Sequence, residues 1–152
     1  MSVKCEKVQK PERHALVVRT RTAVENLPQA IGSSYQKIGA LMGEYGEQPA
    51  DIPYVAYYNM DMQDLDVEIG FIVGRKLEGR GDVKPVVYPA VAVATTMHKG
   101  SYESLGSTYE ALNAWIKEQG DETTGVVFEY YLKSPQEVPP EEMLTRIEML
   151  LK

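Results

Sequence analysis

The feature that most constrains this 152-residue chain is that it contains the same pattern twice. Gly32-Ser33-Ser34-Tyr35 recurs 74 positions on as Gly106-Ser107-Thr108-Tyr109. The register holds through Ala40 and Ala114, Glu44 and Glu118, and Gly46 and Gly120. Within it, Ile31, Tyr35, Ile38 and Met42 match Leu105, Tyr109, Leu112 and Ile116. Their 4-3-4 spacing draws one apolar stripe along an amphipathic helix. Gly46 and Gly120 then stand where a left-handed C-terminal cap belongs. Upstream, Ala15 to Val18 matches Ala90 to Val93; downstream, Tyr54 to Tyr58 matches Val127 to Tyr131. Closing strands run from Leu65 to Val73 and from Leu144 to Leu151, so each copy reads strand, helix, strand, strand.

A unit of that size offers one helix to cover one face of a small sheet. The expected fold is α+β: two strand-helix-strand-strand units with pseudo-two-fold symmetry, antiparallel sheets, helices on one face and a ligand groove on the other. The whole of 1–152 reads as one domain, with repeat 1 over about 1–73, a linker over 74–85 and repeat 2 over about 86–152. The linker, Gly74 to Pro85, is polar and without periodicity, like a long hairpin. Its Gly79-Arg80-Gly81 is no phosphate loop, because no helix start follows to supply amide donors. Strand alternation puts Val67, Ile69 and Phe71 under the helix, leaving Glu68 and Gly70 on the other face. The same rule makes Phe128, Tyr130 and Leu132 core and turns Glu129 and Tyr131 to the groove. Repeat matching adds Tyr54, Ala56 and Tyr58 to the groove.

Charge excludes some partners. The chain carries a net −6: residues 1–22 hold six basic and two acidic side chains, whereas 23–152 hold ten basic and twenty acidic, so most of the body is acidic and repels a phosphate backbone. Nothing matches a helix-turn-helix, a zinc finger or an RNA-binding sheet, so no direct nucleic-acid contact is expected. No apolar run approaches the roughly 20 residues of a membrane span, and the polar start is no signal peptide; a cytoplasmic location is expected. The single cysteine, Cys5, excludes an internal disulfide framework, lacks an activating neighbour and reads as an inert thiol. No histidine or carboxylate spacing suggests a metal, and no cofactor is implied.

The unusual count is ten tyrosines against two phenylalanines and one tryptophan. Tyrosine suits a surface that must be both apolar and hydrogen-bonding. Glu129 lies among such residues in an otherwise apolar strand, where an unmet carboxylate is costly. It can pair with a neighbouring base for structure, anchor a cation that stacks on tyrosines, or act as a general base. Glu68 poses the same question, tempered by Glu148 at the matching place of the second copy, which speaks for a shared structural role. His14 and His98 make no triad, since no nucleophile elbow exists. Trp115, three residues after Leu112, is either core or a wall of the groove.

The run His98-x-Gly100-x-Tyr102-x-x-Leu105-x-x-x-Tyr109-x-x-Leu112-x-x-Trp115-Ile116 continues to Glu129-x-Tyr131 and a loop with Pro135, Pro139 and Pro140. With Leu65 to Gly70 closing the first half, it resembles the GyrI-like small-molecule-binding domain, the effector-binding domain of AraC-type and MerR-type regulators. That resemblance spans the chain. It implies a groove that takes cationic aromatic drugs against a glutamate ringed by aromatics, with Glu129 at that glutamate's place. Stand-alone relatives include a DNA gyrase inhibitory protein and hydrolases of cyclopropane-bearing toxins. Unlike the regulators, this chain is expected to carry no DNA-binding domain.

Three functions are therefore carried, in this order. The first is a stand-alone module for amphipathic, cationic aromatic small molecules, held by Glu129, Tyr131, Glu68, Tyr58, Tyr54, Trp115 and Tyr102. The second is a hydrolase of strained electrophiles with Glu129 or Glu68 activating water, and the third is a protein-interaction module.

Overall fold

The computed structural model describes residues 4–134 and 137–152. Met1 to Val3 of the polar start and Pro135 of the proline-bearing loop lie outside the described residues. The chain runs β1 (Cys5–Lys10), β2 (Arg13–Thr22), α1 (Leu27–Tyr45), β3 (Tyr54–Tyr57), β4 (Leu65–Val73), β5 (Lys84–Tyr88), β6 (Val91–Lys99), α2 (Leu105–Glu118), β7 (Thr123–Lys133) and β8 (Leu144–Leu151). A short 3₁₀ turn leads into each helix, Val24–Asn26 before α1 and Tyr102–Ser104 before α2. The fold is α+β with antiparallel pairings, as the repeat implied.

Both helices form where the apolar stripe lies, and both end alike. Gly46 adopts φ 68°, and the Glu47 amide donates to the Met42 carbonyl at 2.9 Å. Gly120 adopts φ 78°, and the Asp121 amide donates to the Ile116 carbonyl at 3.1 Å. This is the six-to-one closure that a left-handed glycine permits.

The chain forms two compact units, one of 11–90 and one of 4–10 with 91–152. In the 11–90 unit the sheet order is β3-β4-β2-β5. Its α1 places Ile38, Leu41 and Met42 on Leu16, Val18 and Val73, with Phe71 packed at the side. Leu77 and Val83, from the stretch expected to be a linker or long hairpin, complete this core, and Arg80 and Val83 bridge one another. In the other unit the order is β1-β6-β8-β7. There Leu112 and Ile116 of α2 cover Ala94, Val127, Ile147, Met149 and Leu151.

The leading strands are exchanged between the copies. β1 precedes β2 in the chain yet pairs with β6, and β5 precedes β6 yet pairs with β2. Each is separated from the strand it precedes by two residues that include a proline, Pro11 or Pro89.

Candidate functional site

The candidate residues collect into two clusters, one in each unit. In β7, the pairing sets Phe128 opposite Glu148 and Glu129 opposite Ile147. Ile147 lies under α2, so Val127, Glu129 and Tyr131 share the face that the helix covers. This corrects the expected orientation: Glu129 and Tyr131 turn toward α2, while Phe128 and Tyr130 turn away from it. The strand from Val127 to Tyr130 is buried throughout, so burial did not betray which face was which.

Glu129 is only 7% exposed. Its Oε2 accepts the hydroxyl of Tyr109 from α2, and its Oε1 accepts the hydroxyl of Tyr131 at 2.9 Å. The Tyr102 ring meets Tyr131 edge-on, with centroids 6.0 Å apart. Burial first, and then the negative charge of Glu129, push the Tyr102 phenol up from its ordinary value. Sequence reasoning placed Glu129, Tyr131 and Tyr102 together but took Tyr109 for plain core. The signals for Tyr109 were its hydroxyl in an otherwise apolar stripe and its place in the run from His98 to Ile116.

The opposite face of this sheet carries a different arrangement. Glu148, buried, meets Lys10 Nζ at 3.0 Å and Arg146 Nε at 3.4 Å. The Arg146 guanidinium lies 4.0 Å from the Tyr130 ring centroid. These charges answer one another, which is the structural role that Glu148 suggested.

In the 11–90 unit, Glu68 projects from β4 on the face away from α1, as alternation predicted, and is 5% exposed. Tyr58 donates to its Oε1 at 3.1 Å, Tyr88 donates to the same oxygen, and Tyr54 and Tyr88 share a hydroxyl contact of 2.8 Å. Gly70 makes room for this: a Cβ there would lie 2.6 Å from Val17 Cγ1 and 3.0 Å from the Tyr54 hydroxyl. A cation is already seated. Arg19 lies 3.9 Å from the Tyr58 ring centroid, 3.6 Å from Glu68 Oε2, and is doubly bonded to Asp66. Burial and the Glu68 charge push the Tyr58 phenol up, and the Arg19 bond holds the Asp66 carboxyl down. Tyr88 was missed because its strand adjoins the stretch read as linker. Trp115 joins the apolar cluster under α2.

The family model of the GyrI-like small molecule binding domain matches residues 4–152. The chain belongs to that family. Among solved structures, this GyrI-like domain is similar to the EcmrR C-terminal domain, with a TM-score of 0.81 and 23% identity over 100% of this chain and 99% of that one. In the EcmrR–DNA complex the TM-score is 0.83 at 21% identity, over 99% of this chain but 57% of that one. The domain thus spans little more than half of the length of the EcmrR chain in that complex. A hydrolase from Listeria innocua matches with a TM-score of 0.75 at 18% identity, over 99% and 93% of the two chains. SAV2435, solved bound to tetraphenylphosphonium, matches with a TM-score of 0.63 at 12% identity, over 100% and 94%. These identities speak for the shared fold. No curated protein matches the chain.

Other features of the GyrI-like domain lie apart from both clusters. A surface hollow of about 410 Å³ is lined by Lys37, Leu41, Glu44, Arg80 and Asp82, but its charges are paired, Lys37 with Asp82 and Arg80 with Glu44. Burial pushes the Cys5 thiol up, away from a nucleophile's range. Among the described residues, no group of three potential ligands could hold a metal, and no helix is long and apolar enough to cross a membrane.

Proposed function

We propose that this GyrI-like domain binds amphipathic, cationic aromatic molecules against Glu129, with Tyr102, Tyr109 and Tyr131 around the charge. One observation carries the reading: a buried carboxylate accepts a tyrosine hydroxyl on each of its oxygens. Phenols stabilise the anion by hydrogen bonding without cancelling its charge. A delocalised cation loses little hydration on entry and gains ring contacts of roughly 0.5–2 kcal/mol each. The bound tetraphenylphosphonium of SAV2435 supports the ligand class. Glu68 is a poorer seat, because Arg19 already lies against it and over Tyr58.

The test is calorimetric titration with tetraphenylphosphonium and, as the neutral control, triphenylphosphine oxide. Glu129→Gln keeps the shape and removes the charge. Breaking a buried charge pair costs about 3–5 kcal/mol, so the cation should bind about a hundredfold more weakly or worse, and the neutral compound much less so. Equal affinity of wild type and Glu129→Gln for the phosphonium would remove Glu129 from the site.

The Listeria innocua hydrolase supports a second reading, in which Glu129 activates water on a strained electrophile. Hydrogen bonds on both carboxylate oxygens favour the first, since each oxygen that would take a proton from water is already occupied by a tyrosine hydroxyl. Mass spectrometry for product, run beside the calorimetry, separates turnover from binding.

A further inference from the structure

His98 is the next-to-last residue of β6, just before the turn that carries Tyr102, and it is 5% exposed. Both ring nitrogens are engaged. Nε2 lies 2.9 Å from the Ser101 carbonyl and 3.1 Å from Ser104 Oγ, and Nδ1 lies 2.7 Å from Thr108 Oγ1 in α2. A carbonyl only accepts, so the neutral ring carries its proton on Nε2 and takes the Thr108 hydroxyl on Nδ1. One imidazole therefore ties the strand end to the turn at Ser101 and to the second turn of the helix. Gly100 allows the reversal: it adopts φ 128°, donates its amide to the Met143 carbonyl at 2.9 Å, and a Cβ there would stand 3.4 Å from Ser104 Oγ.

What the tie holds is Tyr102. This tyrosine follows Ser101 directly and is 40% exposed, so burial alone does not fix it. Its ring nevertheless rests on Tyr131, which is hydrogen-bonded to Glu129. We propose that His98 is the positioning residue for Tyr102: by clamping the 98–104 turn to α2, it sets the ring against Tyr131 beside Glu129. The contribution of this to ligand affinity rests on the reading of Glu129 as the cation's seat. The placement of Tyr102 does not.

The experiment therefore reads both. With ¹³Cζ-labelled tyrosine and Tyr102 assigned through Tyr102→Phe, NMR follows the Tyr102 phenol through alkaline titration. In the wild type it should titrate above the ordinary value of about 10. In His98→Phe it should fall toward that value. His98→Gln, whose amide can donate to the Ser101 carbonyl, should restore the wild-type titration. Thr108→Val removes the helix end of the clamp at nearly constant shape and should move Tyr102 in the same direction, which serves if His98→Phe does not fold. An unchanged Tyr102 titration in the folded variants would overturn the proposal.

For tetraphenylphosphonium, His98→Phe (or Thr108→Val) and Tyr102→Ala should each weaken binding by roughly 2- to 30-fold, the range of one cation–ring contact. The double variant should be no weaker than Tyr102→Ala alone, because the clamp acts through that ring. Additive losses would overturn the proposal. If Glu129→Gln binds like wild type while Tyr102 still moves with His98, the seat has been misassigned and the clamp stands.

Discussion

Glu68 and Glu129 are both buried carboxylates among tyrosines, and Arg19 marks the contrast between them. In the sequence each was legible as an acid in an apolar strand, a residue type that burial does not tolerate without partners. The partners were less legible. Tyr109 looked like a member of the helical stripe, and Tyr88 lay beyond the repeat's obvious core. Tyr109→Phe removes one donor from a buried anion and should lower stability by about 1.5–3 kcal/mol, readable in denaturant unfolding. Arg19 gives a pH-dependent counterpart. Its bond to Asp66 holds that carboxyl below its ordinary value. A depressed folded-state pKa contributes stability that is present above the unfolded value of about 3.9 and is lost as pH falls through the folded one. The melting-temperature gap between wild type and Arg19→Ala should therefore be open at neutral pH and narrow toward pH 3. A gap of the same size at both would show that the Asp66 pair contributes nothing.

The helices could be read from sequence because a half-buried helix advertises its period, and the glycine caps marked its ends. The inner strands could not be read as well. Tyr54–Tyr57 is buried at every position, as is Val127 to Tyr130, so alternation carried no polarity to assign faces. Repeat matching set Ala56 against Glu129, yet Ala56 pairs with Glu68 while Phe128 pairs with Glu148. Phe128 is the structural counterpart of Ala56, so the match is slipped by one residue, and that slip offset the reversed reading of β7 and left Tyr54, Ala56 and Tyr58 on the face where they lie. Glycine substitutions test the elements themselves. Gly46→Ala meets no neighbour within 4 Å, so it should cost only the left-handed backbone strain, about 1–2 kcal/mol. In Gly70→Ala the new methyl would lie 2.6 Å from Val17 Cγ1 and 2.7 Å from the Leu16 carbonyl oxygen. Backbone must move there, so the loss should reach about 3 kcal/mol or more by chemical denaturation. It should also disturb the Tyr54–Tyr88–Glu68 contacts, visible as shifts of the Tyr54 and Tyr88 resonances.

At the scale of the molecule, the duplication told the element order but not the ownership of the leading strands. Nothing local in Cys5–Lys10 distinguishes pairing with β2, two residues away, from pairing with β6, some 85 residues away. The proline after each leading strand supplies no amide to continue a ladder and separates the strand from the one that follows it. The consequence is that the 91–152 sheet is completed by a segment from the far end of the chain, whereas the 11–90 sheet is completed from within its own stretch. Beyond the ladder itself, Thr96 Oγ1 donates to the Lys4 carbonyl at 2.6 Å, and Lys7 Nζ lies 3.3 Å from Asp121 just after α2. Deleting residues 1–10 should therefore uncover β6 selectively. Its amides that bond to β1 lose their acceptors and become an open edge, so hydrogen exchange there should accelerate by orders of magnitude. The amides of β2 directed at β5 keep their partners and serve as the internal reference. The same deletion removes Lys10 from Glu148, leaving a buried carboxylate with less positive charge beside it. β8 exchange should rise next, ahead of β7. If β6 amides exchange as slowly in the truncated chain as in the full one, the strand exchange is not what holds that sheet together.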